Sequence, residues 1–274
     1  MLNAGPETDR LAARWRAAEA AGDRLLVVYV TLGDPLTSGP PGLGPAVAVA
    51  GADVLELGLP TPGTRPRGAV VGASFERARG TQLAQVWAEL GELRRRLPDV
   101  PLVLLVYPET VADIGWSALL AESARGGVDG MVLTRPSVAA LRRVSAAGLS
   151  AIPLIPPNVE SSFARDLEEA ASGLTYRPLA ARTGDPLEPD SVGRLAARLR
   201  AGATTPFIVG FGIRNEREIR AAAPHVAGVV IGSEFIARIS EVSASGRMTY
   251  AQQLIGRWKS ATGPVGVADP GGES

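Results

Sequence analysis

The chain has 274 residues and equal numbers of basic and acidic side chains, 28 of each. That balance gives no sign of a nucleic-acid surface, and no apolar run reaches the roughly 18 residues of a membrane span. There is no Cys, a single His (His225) and a single Lys (Lys259), so disulfides, thiolate nucleophiles and clustered His or Cys metal ligands drop out.

In chain order, Thr8–Ala21 reads as an amphipathic helix, and the segment 1–24 is expected to cover the floor of the fold. Its first residues, Met1 to Arg16, carry charges and lack the apolar stretch of a signal peptide, which predicts a cytoplasmic protein. Short β-branched runs then alternate with Ala-, Leu- and Arg-rich segments, the pattern of parallel strands with helical crossovers. Leu25–Val30 is the first strand, followed by the turn Thr31-Leu32-Gly33-Asp34-Pro35. A helix over Pro45–Ala50 leads to the second strand, Asp53–Leu57. The spacing of Leu83, Trp87, Leu90 and Leu93 predicts a helix over Thr81–Leu97. Strand three is Leu102–Val106, then a helix over Trp116–Arg125.

The rhythm repeats. Strands are predicted at Gly130–Leu133, Ile152–Ile155, Leu174–Tyr176, Phe207–Val209 and Gly228–Ile231. Helices are predicted at Val138–Ala147, Phe163–Ala171, Pro189–Arg200, Glu216–Ala223 and from Ser233 onward. Eight strands and eight crossovers give a single-domain (β/α)8 TIM barrel over 25–260, with a flexible tail over 261–274.

In such a barrel the chemistry sits at the carboxyl ends of the strands. Gly210-Phe211-Gly212 and Gly232-Ser233 follow the last two strands, each opening a helix. Glycine allows close backbone approach, and helix N-terminal N–H groups favour an anion, so a phosphorylated ligand is expected there. Glu56 lies in an apolar strand just before Gly58. It reads either as an acid–base carboxyl or as the partner of an internal Arg. Tyr176 presents its hydroxyl at the mouth or packs in the core. Arg182-Thr183-Gly184-Asp185 forms a polar loop suited to a lid. Asp34 is expected to be a turn residue and His225 structural. Lys259 lies near the C-terminus, away from any strand end where a Schiff-base amine would be needed.

Tyr29-Val30-Thr31-Leu32-Gly33-Asp34-Pro35 and Gly51-Ala52-Asp53-Val54-Leu55-Glu56-Leu57-Gly58 resemble the tryptophan synthase α subunit family. The resemblance continues through Gly127-Val128-Asp129-Gly130, Pro156-Pro157-Asn158, Gly210-Phe211-Gly212-Ile213 and Ile231-Gly232-Ser233. It implies cleavage of indole-3-glycerol phosphate to indole and glyceraldehyde 3-phosphate, with no cofactor or metal and with a β subunit as partner. By resemblance, Glu56 matches the acid–base glutamate. Gly184, Gly212, Gly232 and Ser233 match the phosphate-binding positions, and Tyr29, Tyr176, Thr183 and Phe211 line the indole and glycerol pocket.

The departures lie in the loops. Pro60-Thr61-Pro62-Gly63-Thr64-Arg65-Pro66-Arg67 stands where the family carries two aspartates, and Arg67 aligns with the catalytic one. Arg cannot accept a proton or a hydrogen bond. Tyr107-Pro108-Glu109-Thr110 and Thr134-Arg135-Pro136 also depart from the family pattern, on the face that meets the β subunit. Three functions stand open: a lyase acting on indole-3-glycerol phosphate or an analogue, with Arg67 contacting substrate; an ordinary α subunit using Glu109 or Asp185 instead; and a non-catalytic protein that binds a phosphorylated ligand and regulates a partner enzyme. Cleavage of indole-3-glycerol phosphate itself is expected to be weak.

Overall fold

A computed structural model describes residues 9–37, 43–66, 68–180, 187–188 and 191–263. Eight parallel strands run β1 (Leu25–Thr31), β2 (Val54–Gly58), β3 (Leu102–Val106), β4 (Gly130–Leu133), β5 (Ser150–Pro153), β6 (Thr175–Pro178), β7 (Phe207–Gly210) and β8 (Gly228–Ile231). They form one sheet in the order β5-β4-β3-β2-β1-β8-β7-β6. A bridge from Leu154 to Tyr176, with Ile155 N–H donating to the Tyr176 carbonyl at 2.8 Å, closes β5 onto β6. The molecule is a (β/α)8 barrel.

Twelve α-helices accompany the strands among the described residues. They are α1 (Arg10–Ala20), α2 (Leu43–Val49), α3 (Ala69–Ala78), α4 (Leu83–Arg96), α5 (Pro108–Ile114), α6 (Trp116–Arg125), α7 (Val138–Ala146), α8 (Ser161–Glu169), α9 (Ser191–Gly202), α10 (Glu216–Ala222), α11 (Ser233–Ser240) and α12 (Ala244–Ser260). Three of these go beyond the sequence expectation. Helix α3 buries Val71, Ser74, Phe75 and Ala78 at helical spacing; the polar Ser74 breaks the stripe that would have announced it. Helix α5 starts with Pro108 at its first turn, where a missing N–H costs nothing. Helix α12 packs the fully buried Trp258 against Phe235 of α11.

Strand residues point alternately inward and outward, and two core clusters follow. Leu26, Val28, Leu55, Leu57, Leu104 and Val209 face the helices. Val27, Tyr29, Val54, Val103, Leu105, Tyr176, Ile208 and Val230 fill the lumen. Strand edges shift where a residue of the wrong chemistry joins a strand. Strand β6 runs on through Arg177 and Pro178 because Glu168 of α8 receives the Arg177 guanidinium in a buried pair. Strand β5 starts at Ser150, two residues before the apolar run, because Ser150 pairs with Gly130.

The floor explains Lys259. The buried Asp53 carboxylate, at the amino end of β2, accepts from Leu26 N–H at 2.7 Å, Arg14 Nε at 2.9 Å and Lys259 Nζ at 2.7 Å. Asp129 repeats the arrangement at β4, with Leu102 N–H at 2.8 Å, Arg10 at 2.9 Å and Arg94 at 2.6 Å. Two buried carboxylates, each with several donors, thus tie α1, α4 and α12 to the barrel bottom, and the single lysine is used there. His225 ends a short 3-10 turn, Ala223–His225, in the connection leading to β8. The tail residues 264–274 lie outside the described residues.

Candidate functional site

The inward parity of the strands collects the site. On β1 it selects Tyr29 and Thr31, on β2 Glu56 and Gly58, past β3 Tyr107, on β6 Tyr176, and past β7 and β8 the two glycine turns. Tyr29 and Glu56 are register partners on neighbouring strands. Both side chains are 3% exposed.

Glu56 is the carboxyl among these inward-facing strand residues. Among the described residues nothing hydrogen-bonds its Oε1, which is buried. No Arg among the described residues pairs with it, which favours the acid–base reading over the paired one. Burial without a compensating charge pushes its carboxyl up to about 8. At neutral pH the group therefore carries its proton. The neighbours share the apolar setting: desolvation raises the hydroxyl pKa of Tyr29, Tyr107 and Tyr176, with Glu56 adding to each.

Tyr29 spans the site. A Cβ at Gly232 would come within 3.1 Å of the Tyr29 Cβ, and one at Gly58 would fall 2.0 Å from its hydroxyl oxygen. The side chain therefore runs from the turn after β8 across to the mouth end of β2. Its hydroxyl meets Thr31 Oγ1 at 3.0 Å, and Thr31 Oγ1 meets Ser74 Oγ of α3 at 2.6 Å. Phe75 stacks edge-on to Tyr107 at 6.2 Å, and Tyr176 to Phe211 at 5.7 Å, so aromatic rings wall both sides.

The two glycine turns lie level with each other, because Val209 pairs with Val229 and each turn glycine follows three residues later. Phe211 is a non-glycine residue at φ 63°, and Gly212 follows at φ 113°. A side chain at Gly212 would strike Leu187 at 2.5 Å. Gly232 stands just before α11, whose first N–H groups from Ser233 on have no partner within the helix. Gly212, Gly232 and Ser233 thus share one end of the barrel with Tyr29, Tyr176, Phe211 and Glu56. Arg67, Thr183 and Gly184 lie outside the described residues, as do Arg182 and Asp185.

Asp34 is a turn residue, as expected, with an added role. It accepts from Leu36 N–H at 3.1 Å and from Arg77 of α3 through both carboxylate oxygens. Sequence reasoning missed α3 and hence Ser74, Phe75 and Arg77; the spacing of Val71, Phe75 and Ala78 was the available signal.

The loop after β2 is pinned outward. Thr61 and Thr64 share a hydroxyl hydrogen bond of 2.7 Å, Thr64 reaches Thr110 of α5 at 3.0 Å, and Gly63 N–H donates to Asp113 at 2.6 Å. A cavity of about 350 Å³ lies between this loop and helices α3 and α4, lined by Thr61, Arg65, Phe75, Glu76, Arg79 and Leu83. Glu56 does not line it.

The family model described as tryptophan synthase alpha chain matches residues 15–261. The tryptophan synthase alpha chain of Halorhodospira halophila is 32% identical over 244 residues, covering 86% of this chain and 89% of that protein. That of Solibacter usitatus is 35% identical over 235 residues, covering 81% and 86% respectively. The crystal structure of the Legionella pneumophila alpha chain superposes with a TM-score of 0.79 at 22% identity, over 92% of this chain and 97% of that one.

Proposed function

The chain belongs to the tryptophan synthase alpha chain family, and on that premise we propose that it is a carbon–carbon lyase acting on indole-3-glycerol phosphate or a close analogue. The observation that carries this reading is Glu56: buried, with an unpartnered Oε1, and protonated at neutral pH at the mouth end of β2.

The carboxyl gives its proton to ring carbon C3 of the indole. The carboxylate so formed takes the proton of the neighbouring side-chain hydroxyl as the bond from C3 to that carbon breaks. The O–H electrons become the aldehyde carbonyl, the C–C electrons return to the ring, and Glu56 ends protonated as it began. Indole and glyceraldehyde 3-phosphate leave. A pKa near working pH suits a group that must be acid and then base in one turnover.

The phosphate seats on the N–H groups of Gly212 and Ser233, with Gly232 keeping the approach open and Gly184 completing the cradle. Tyr29, Tyr176, Thr183 and Phe211 line the ring and glycerol, and Arg67 contacts substrate from the loop after β2. A tryptophan synthase β subunit is the proposed partner, docking on the mouth loops, whose sequence departs from the family's.

The test is indole release from indole-3-glycerol phosphate, with and without a β subunit. Turnover by the parent chain, lost in Glu56→Gln with ligand affinity kept, is the expected result. Binding without any indole release would leave the non-catalytic role instead.

A further inference from the structure

The hydroxyl chain beside Glu56 has a fixed direction. Ser74 Oγ donates its one proton to the Val71 carbonyl at 2.7 Å. In its 2.6 Å contact with Thr31 it must therefore accept, and Thr31 must donate. Thr31 has then no proton left for its 3.0 Å contact with Tyr29, so Tyr29 donates to Thr31. The order is Tyr29 to Thr31 to Ser74 to the Val71 carbonyl, and all three side chains are buried. Every proton in the chain points into the wall.

The Tyr29 oxygen stands over Gly58, on the mouth side of Glu56. The hydroxyl lies where a Cβ of Gly58 would stand, and Gly58 is two residues toward the mouth from Glu56 on the same inner face. A ligand reaching Glu56 from the mouth passes this oxygen. With its proton spent, the oxygen has only lone pairs to offer. Losing the proton would not help a ligand either, since burial raises this hydroxyl well above the ordinary tyrosine value.

We propose that Tyr29 is an obligate hydrogen-bond acceptor at the barrel mouth, held so by Thr31 and Ser74, and that it selects ligands presenting an N–H or O–H donor there. A ring oxygen or carbonyl at the same place meets lone pair against lone pair. Tyr29 sets specificity by contact, while Thr31 and Ser74 act through it as positioning residues. The inference rests on the lyase reading only in taking indole as the donor-bearing ring.

The probes are indole and benzofuran, which share a bicyclic shape but exchange the ring N–H for an oxygen. Equilibrium binding to the full chain should favour indole by about tenfold, the worth of one hydrogen bond gained rather than opposed. Thr31→Val removes the acceptor for the Tyr29 proton and frees it toward the site, so the preference should fall toward one, chiefly through tighter benzofuran binding. Ser74→Ala frees the Thr31 proton to turn to Tyr29 and should move the ratio the same way, which covers a poorly folding Thr31→Val. Tyr29→Phe should also lower the ratio, but through weaker indole binding. Equal affinity of the parent for both rings, or a ratio unmoved in all three variants, overturns the proposal even if indole release proceeds. Indole selectivity with no cleavage of the phosphorylated substrate overturns the lyase reading alone. A parent that binds neither ring overturns both.

Discussion

Arg77 closes on the buried Asp34 with two parallel hydrogen bonds, Nε to Oδ1 at 2.8 Å and Nη2 to Oδ2 at 2.7 Å. The pair joins the turn after β1 to α3, the helix that carries Ser74 and Phe75 into the site. Asp34 is fully buried while Arg77 keeps about a third of its side chain in solvent, so the carboxylate is the more dependent partner. Arg77→Met strands that charge in the protein and should lower stability by about 3 kcal/mol. Asp34→Ala leaves a guanidinium that can turn to water and should cost less. Urea unfolding with an unchanged slope reads the difference directly; equal midpoints for both variants and the parent would show the pair to be idle.

Glu56 ties stability to pH in a direction opposite to most carboxylates. Its folded pKa of about 8 lies above the ordinary value of 4.5, so between those values the folded chain holds a proton that the unfolded chain has released. Stability is then full below about pH 4.5, declines as pH rises, and levels off above about 8. Glu56→Gln removes the linkage. The variant should gain on the parent across that window, by an amount on the order of a few kcal/mol at the alkaline end. Parallel pH–stability curves for the two proteins would place the carboxyl in a far more polar setting than the barrel mouth.

The glycine turns make separate predictions for fold and ligand. Gly212 sits at φ 113° with Leu187 only 2.5 Å from any added Cβ, so Gly212→Ala should strain the turn and weaken inorganic phosphate binding at least tenfold. Gly232 has an ordinary φ of −122°, and an added Cβ would meet the Tyr29 Cβ at 3.1 Å, a tight contact that a small shift relieves. Gly232→Val should therefore keep the circular dichroism of the parent and lose the phosphate through obstruction of the site. Retained phosphate affinity in Gly232→Val would move the anion site elsewhere.

What the sequence displayed and what it hid follow from the range of each interaction. Strands β3, β4 and β8 could be read to the residue, because each compact apolar run is bounded on at least one side by a residue that breaks it: Pro101 before β3, Asp129 before β4 and Gly232 after β8. Glu56 stood out for the same reason, a carboxylate inside an apolar run. Helix α3 did not, since its buried stripe includes Ser74, whose hydroxyl is satisfied there by the Val71 carbonyl and by Thr31, 43 residues away. The same holds for Arg177, legible as a surface residue until Glu168 is placed beside it. Long-range polar pairing leaves no periodic trace in a single chain, and here it builds one wall of the site.

The anchoring of the loop after β2 leads to the last prediction. Asp113 of α5 accepts from Gly63 N–H at 2.6 Å, and a hydrogen bond from Thr61 also holds its carboxyl below the usual range. Thr61, Thr64 and Thr110 form a run of hydroxyl contacts at 2.7 and 3.0 Å that carries the loop onto α5. The loop is thus fastened at two levels to a helix that itself begins at the end of β3. Asp113 is nearly all in solvent, so its removal should leave global stability within about half a kcal/mol. Local order should respond more. Asp113→Ala should raise amide exchange at Gly63 and Thr64 by about tenfold, one lost hydrogen bond's worth of local opening, while amides of β2 stay protected. Thr64→Val, which cuts the hydroxyl chain in the buried middle, should open the same amides and lower stability as well, because Thr61 and Thr110 each lose a buried hydroxyl partner. Unchanged exchange at Gly63 in both variants would mean that the prolines flanking the loop hold it without help from α5.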